Sequence, residues 1–308
     1  MVVSAYFPYR SEAVKESCLA YLDSLATRQW PIASETRMVP TPFGPTFVRI
    51  SGPSSAPPLA LLHGAGSTSL MWAPNVQALS ERYRTIAIDQ IQEFGRSECT
   101  KPIQSLKDMA HWLEGLFDGL GISGGLNVAG LSYGGALATQ YALAFPNRVS
   151  NLILLAPANT VLRLRAAAMA RLALAVLAKK RGIPAMVHWM FADMLRKDPA
   201  WGDETIDLLF VSLNGLQRRN VPIPPVLTDA EWGSLKCPVL FLVGEHEVIY
   251  SPEKAVQRLS RVAPMATAEI VPGAGHDLSF VKADLVNRRM LEFLDGRRGR
   301  DGTIAPAA

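Results

Sequence analysis

The sequence predicts an α/β protein built on one mostly parallel sheet, covered by helices on both faces, with a block of helices inserted late in the chain. Three observations carry this expectation. Short apolar runs alternate with helical segments over residues 59–155 and again over 239–294. The runs are near-continuous rather than alternating, as in parallel strands buried on both faces. Between 159 and 233 the alternation stops, and no run there reads as a strand.

The elements follow in order. Residues 11–27 place Val14, Cys18, Leu22 and Leu25 at helical spacing, which predicts an amphipathic helix ahead of the main domain and packed on it. Met38-Val39-Pro40 and 46–50, split by Phe43-Gly44-Pro45, predict a hairpin. Strands are expected at 59–62, 85–88, 126–129, 152–155, 239–243 and 268–271. Helices are expected between them at 75–82, 105–120, 136–145, 252–263 and 281–294. The inserted block reads as helices at 162–180, 185–195 and 203–216, with Pro222-Ile223-Pro224-Pro225 as a stiff return. Ligands of open α/β sheets bind beyond the strands' C-terminal ends, so the block is expected to form a cap there. The division is a helical arm at 1–30, a core from 31–158 and 233–295, a cap at 159–232 and a flexible tail at 296–308. Trp189, Met190, Met194 and Phe210 are expected chiefly to pack the cap.

Hydrophobic residues make up 49% of the 308 and charged residues 19%, enough apolar side chain for a large core. The formal charge of +4 comes from mostly scattered basic residues, which argues against a nucleic-acid partner. A basic stretch at Arg163, Arg165, Arg171, Lys179, Lys180 and Arg181 is expected to be a solvated helix face. Cys18, Cys99 and Cys237 are too few and too irregularly spaced for a disulfide framework or a zinc site, which points to a reducing cytoplasm. The first eight residues lack the basic start and apolar core of a signal peptide. The longest apolar stretch, 166–178, is short and broken by Arg171, so no membrane insertion is expected.

Chemistry concentrates at Gly130-Leu131-Ser132-Tyr133-Gly134-Gly135, between a predicted strand and a predicted helix. G-x-S-x-G in that setting is a nucleophile elbow, a turn so tight that only small neighbours fit around the serine. A serine hydroxyl needs a base within hydrogen-bond reach, and the base needs a carboxylate to fix its tautomer. His276 follows the last predicted strand in the mobile Pro272-Gly273-Ala274-Gly275 loop and is the candidate base. The carboxylate is sought in Gly244-Glu245-His246-Glu247: Glu247 holds the expected position, and Glu245 is its rival. No carboxylate follows the strand at 152–155, where 156–159 reads Ala-Pro-Ala-Asn. An oxyanion would be held by the N–H of Tyr133 and by an N–H in His63-Gly64-Ala65-Gly66, with Ala65 preferred and Gly66 the alternative. His63 reads as a structural hydrogen-bonding residue and His246 as a loop residue. His111 and His188 have no metal-ligand company, and neither metal nor cofactor is called for.

The four ordered motifs, His63 to Gly66, Gly130 to Gly135, Gly244 to Glu247 and Gly273 to His276, resemble those of the α/β-hydrolase fold family. Residues 59–75, 82–89, 226–231 and 244–252 further resemble bacterial carboxylesterases of the naproxen-esterase type. The resemblance implies a cytoplasmic serine esterase acting on small-molecule carboxylic esters, with Ser132, Glu247 and His276 as its triad. Two departures bear on substrate choice. The loop 89–97 is one residue longer than the common form, and Tyr133 follows the serine where methionine, glutamine or leucine is commoner. The same triad also serves C–C bond cleavage, thioester and lactone hydrolysis, perhydrolysis and acyl transfer, and a non-catalytic binding protein is the reading from a different class. Acyl group, alcohol and oligomeric state stay open.

Overall fold

A computed structural model describes residues 4, 6–217 and 221–296. Its strands are β1 (Glu35–Val39), β2 (Thr46–Ser51), β3 (Pro58–Leu62), β4 (Arg84–Ile88), β5 (Leu126–Leu131), β6 (Val149–Leu155), β7 (Val239–Gly244) and β8 (Thr267–Val271). They form one sheet in the order β1-β2-β4-β3-β5-β6-β7-β8. β1 and β2 pair antiparallel, β2 runs antiparallel to β4, and every other pairing is parallel. The helices are α1 (Glu12–Gln29), α2 (Ala73–Ser80), α3 (Leu106–Gly119), α4 (Tyr133–Ala144), α5 (Ala166–Met190), α6 (Ala192–Lys197), α7 (Pro199–Gly215), α8 (Asp229–Ser234), α9 (Pro252–Val262), α10 (Leu278–Val281) and α11 (Ala283–Asp295).

Alternation along β3 shows why its run is continuous. Ala60 and Leu62 join the core on the face of Trp112, Tyr141 and Leu259, while Leu59 and Leu61 join the core of Trp72, Leu79 and Met290. A strand covered on both faces needs apolar residues at every position. β5 and β7 are buried throughout, whereas the edge strand β1 is buried only at Val39. The central strands therefore hold the site, and their C-terminal ends carry its loops.

Several boundaries differ from expectation. Helix 281–294 is interrupted at Lys282 into α10 and α11. The helices expected at 162–180 and 185–195 are recorded as α5, which runs through Pro184, followed by α6. α5 is not straight: a Cβ at Gly182 would overlap the Leu174 carbonyl and crowd Ala175. Eight residues of straight helix span about 12 Å, so α5 folds over between 175 and 182. The expected division at 232/233 falls inside α8, whose Trp232 is buried in the main core. In the basic stretch Arg163, Arg165, Arg171 and Arg181 are exposed, as a solvated face requires, but so are the apolar Met169, Leu174, Val176 and Leu177 among them. The tail beyond Gly296 lies outside the described residues.

The arm helix α1 touches both core and insertion. Cys18, Leu22 and Leu25 cluster with Leu70 and Phe94 of the core and with Leu216 at the end of α7. Tyr9 bridges to Leu216, and its hydroxyl donates to the Gly95 carbonyl at 2.6 Å while accepting the Gly95 N–H at 3.2 Å.

Candidate active site

Ser132 sits between β5 and α4 with φ 54° and ψ −118°, a left-handed backbone that a non-glycine residue adopts only under constraint. The constraint is visible on both sides. A Cβ on Gly130 would overlap the Gly134 carbonyl, and one on Gly134 would overlap the carbonyls of Leu62 and His63. The backbone is tied down as well. Ser132 N–H donates to Leu155 O at 2.9 Å, and Ser132 O accepts from Ala158 N–H at 3.0 Å. Gly64 packs so closely that a Cβ there would lie 3.4 Å from Ser132 Cβ. Among the described residues the Ser132 hydroxyl holds no hydrogen bond. Such contacts in a free site commonly tighten only with substrate.

His276 is buried in the loop after β8. That loop leans across the end of β7: His246 N–H donates to Ala274 O at 2.9 Å, and a side chain on Gly244 would strike the carbonyls of Ala274 and Gly275. His276 Nδ1 lies 2.8 Å from Glu247 Oε2. A carboxylate only accepts, so Nδ1 carries the proton and Nε2 is left as the ring's acceptor. Glu247 has a fully buried side chain and its other oxygen accepts from the N–H groups of Val248 (2.8 Å) and Ile249 (3.0 Å). Glu245 points away: its side chain is 54% exposed and accepts the Gly273 N–H at 2.9 Å. Burial alone would lower the His276 pKa, but the charge and hydrogen bond of Glu247, with help from Asp277, carry it above the ordinary histidine value.

His63 is fully buried, and its Nδ1 donates to Gly64 O at 2.8 Å while Nε2 accepts the Gln90 N–H at 3.0 Å. Burial holds its pKa down, so it stays neutral and braces the loop 63–66. In that loop the Ala65 N–H has no partner among the described residues, whereas the Gly66 N–H is directed at Glu93 Oε2, 3.4 Å away. Tyr133 opens α4, and its hydroxyl donates to Pro222 O at 2.9 Å, tying the elbow to the return segment. His246, expected to be a loop residue rather than the base, lies in the loop after β7 and pairs through Nδ1 with Asp193 Oδ2 of α6 at 2.9 Å.

Some site residues carried no signal in the sequence. Asp277 is fully buried beside His276, with Oδ2 accepting the Met194 N–H at 2.7 Å and Oδ1 accepting the Gly275 N–H at 3.2 Å. It thereby docks α6 onto the histidine loop. An aromatic file runs Phe280–Trp201–Phe191–His276, with centroids 5.0, 5.6 and 6.3 Å apart. A cavity of about 100 Å³ opens beside it, walled by Leu25, Ala65, Met71, Phe191, Trp201 and Leu209. Neither Ser132 nor His276 is on its wall; Phe191 links the cavity to His276, and Ala65 on the wall follows Gly64, which packs against Ser132. Trp189, Met190 and Phe210 pack within or against the insertion and core clusters, and Met194 is buried.

Residues 59–289 match the alpha/beta hydrolase family. The chain belongs to that family. Carboxylesterase YbfK of Bacillus subtilis is 35% identical to this hydrolase, over 90% of this chain and 93% of its own. The crystal structure of naproxen esterase from Bacillus subtilis superposes with a TM-score of 0.85 at 34% identity, covering 93% of this chain and all of that one (100%). A Rhodococcus hydrolase of 2-hydroxy-6-oxo-6-phenylhexa-2,4-dienoate gives a TM-score of 0.68 at 21% identity, with 86% and 99% covered, and shares the fold. Among the described residues, no helix of this hydrolase is long and apolar enough to cross a membrane.

Proposed function

We propose that this hydrolase cleaves small-molecule carboxylic esters through an acyl-enzyme on Ser132, with His276 as base and Glu247 as the acid of the triad. The observation that carries the reading is the buried Glu247–His276 pair, 2.8 Å apart, in a sheet whose strained Ser132 elbow stands at the C-terminal end of β5, separated from β7 by β6 alone. The relatives named carboxylesterases, 34% to 36% identical over most of both chains, support ester as the bond.

Ser132 Oγ adds to the ester carbonyl carbon as its proton passes to His276 Nε2. The carbonyl π pair moves to oxygen, and the N–H groups of Ala65 and Tyr133 hold the resulting oxyanion. Glu247 stabilises the imidazolium without taking its proton. The oxyanion collapses, the C–O bond to the alcohol breaks, and His276 hands its proton to the leaving oxygen. Water then enters, loses a proton to His276 and adds to the acyl carbon; the second oxyanion collapses, the bond to Ser132 Oγ breaks as His276 returns the proton to that oxygen, and the acid leaves. Ala65 is preferred to Gly66 because Gly66 N–H is already directed at Glu93.

The helices α5 to α7, within 159–232, serve as the cap, and the cavity by Phe191 and Leu209 takes an apolar part of the substrate. The reading keeps the protein in the cytoplasm, which three free cysteines suit. The test is turnover of p-nitrophenyl acetate and butyrate by Ser132→Ala. Loss of activity in a folded variant supports the assignment, and wild-type turnover would overturn it.

A further inference from the structure

We propose that the outward face of the first half of α5 is a docking surface for an anionic lipid bilayer, on which the protein lies without crossing it. Met169, Ala173, Val176 and Leu177 recur at i, i+4, i+7 and i+8, one stripe of a helix. That spacing ordinarily marks a buried face. Here the buried side is the other one, at Ala168 and Ala175, while Leu177 is 82% exposed, Met169 59% and Val176 55%. Leu174, 53% exposed, widens the stripe. α5 is thus apolar on both sides, and on its outer side these large apolar side chains are more than half exposed. Contiguous exposed apolar surface of this kind marks an interaction site.

Charge identifies the partner. Residues 159–192 contain six Lys and Arg and no Asp or Glu. Arg163, Arg165, Arg171 and Arg181 are exposed, with Arg171 on the side of Ala168 and Ala175, away from the stripe. None of them holds an ion pair among the described residues, although Arg165 influences Glu253 and Arg171 lies over the Trp189 ring at 4.9 Å. A second copy of the chain would set this basic set against itself across a symmetric interface, which like charge opposes. An anionic bilayer offers the opposite charge to Arg163, Arg165 and Arg181 and an acyl boundary to the stripe, the combination that holds interfacial helices. The fold-over of α5 between 175 and 182 brings Leu177 close to its apex, where it can reach between headgroups. None of this depends on which bond the site cleaves.

The test is flotation of the intact protein with vesicles of phosphatidylcholine alone, or of equal parts phosphatidylcholine and phosphatidylglycerol, at low and high salt. The wild-type protein should float with the anionic vesicles at low salt and stay behind with phosphatidylcholine. Val176→Glu with Leu177→Glu should cut the bound fraction about tenfold, with the melting temperature unchanged. If that pair melts early, Met169→Gln with Leu177→Gln replaces it, since both positions are exposed. A wild-type protein that ignores anionic vesicles at low salt overturns the proposal. So does undiminished binding by the folded variant, or a solution dimer that the same substitutions dissolve.

Discussion

Ser132 is held in a backbone conformation that costs on the order of 1–3 kcal/mol, and the glycines at 130 and 134 exist to permit it. Gly134→Ala should therefore destabilise or misfold the elbow, seen as a lowered melting temperature together with lost turnover. At His276 the sign of the pH dependence follows from the neighbouring carboxylate. In the proposed mechanism His276 must be neutral to accept the serine proton, and its pKa is raised above the ordinary histidine value, about 6.5. The acid limb of kcat/KM should accordingly have its midpoint above that value. Glu247→Gln removes the charge that raises it, so the midpoint should move down. The plateau should also fall by roughly 10³–10⁴, because an amide no longer fixes the tautomer. An unchanged limb in that variant would remove Glu247 from its role. The sequence could not separate Glu247 from Glu245, because the choice is made by side-chain direction. Glu247 is turned inward by the N–H groups of Val248 and Ile249, and Glu245 outward by that of Gly273.

Between elements, α6 meets the loop of His276 through Asp277, which accepts from Gly275 on its own loop and from Met194 of α6. Asp277→Ala leaves both N–H groups without that acceptor and should slow the chemical step, lowering kcat more than it changes KM. Asp277→Asn keeps one acceptor oxygen and should fall between. Equal loss of melting temperature and no kinetic change would make the residue structural only. This link spans 83 positions in the chain, so no local pattern could reveal it. Strands and most helices were legible for the opposite reason: their signal is a run or a period inside one segment. The fold-over of α5 was not, because Gly182 and Pro184 mark a break without saying whether the helix ends or bends. Leu209 lies against the loop 63–66, since a Cβ on Gly66 would come within 3.0 Å of its Cδ2. Leu209→Ala should enlarge a cavity now smaller than the roughly 150 Å³ that holds benzene. The ratio of kcat/KM for p-nitrophenyl octanoate over acetate should then rise, by about tenfold on the scale of one or two methylenes.

Across the whole molecule, the arm joins what the sheet alone would leave separate. Tyr9 ties the loop at Gly95 to the end of α7 at Leu216, and Leu25 walls the cavity. Tyr9→Phe strips the hydroxyl from both the Gly95 N–H and carbonyl and should cost about 1–3 kcal/mol, read as a lowered denaturation midpoint. The α/β sheet and its order of motifs were readable because each central strand is buried on both faces. Which surfaces α1 and α5 present was not, since periodicity gives a face but not what covers it. The account as a whole rests on Ser132 being a nucleophile activated by His276. Its most direct test is reaction of the intact protein with a fluorophosphonate, followed by peptide mass mapping. The account predicts one adduct per chain, on Ser132, absent from Ser132→Ala and strongly slowed in His276→Ala. A folded wild-type protein that takes no label, or takes it elsewhere, would contradict it.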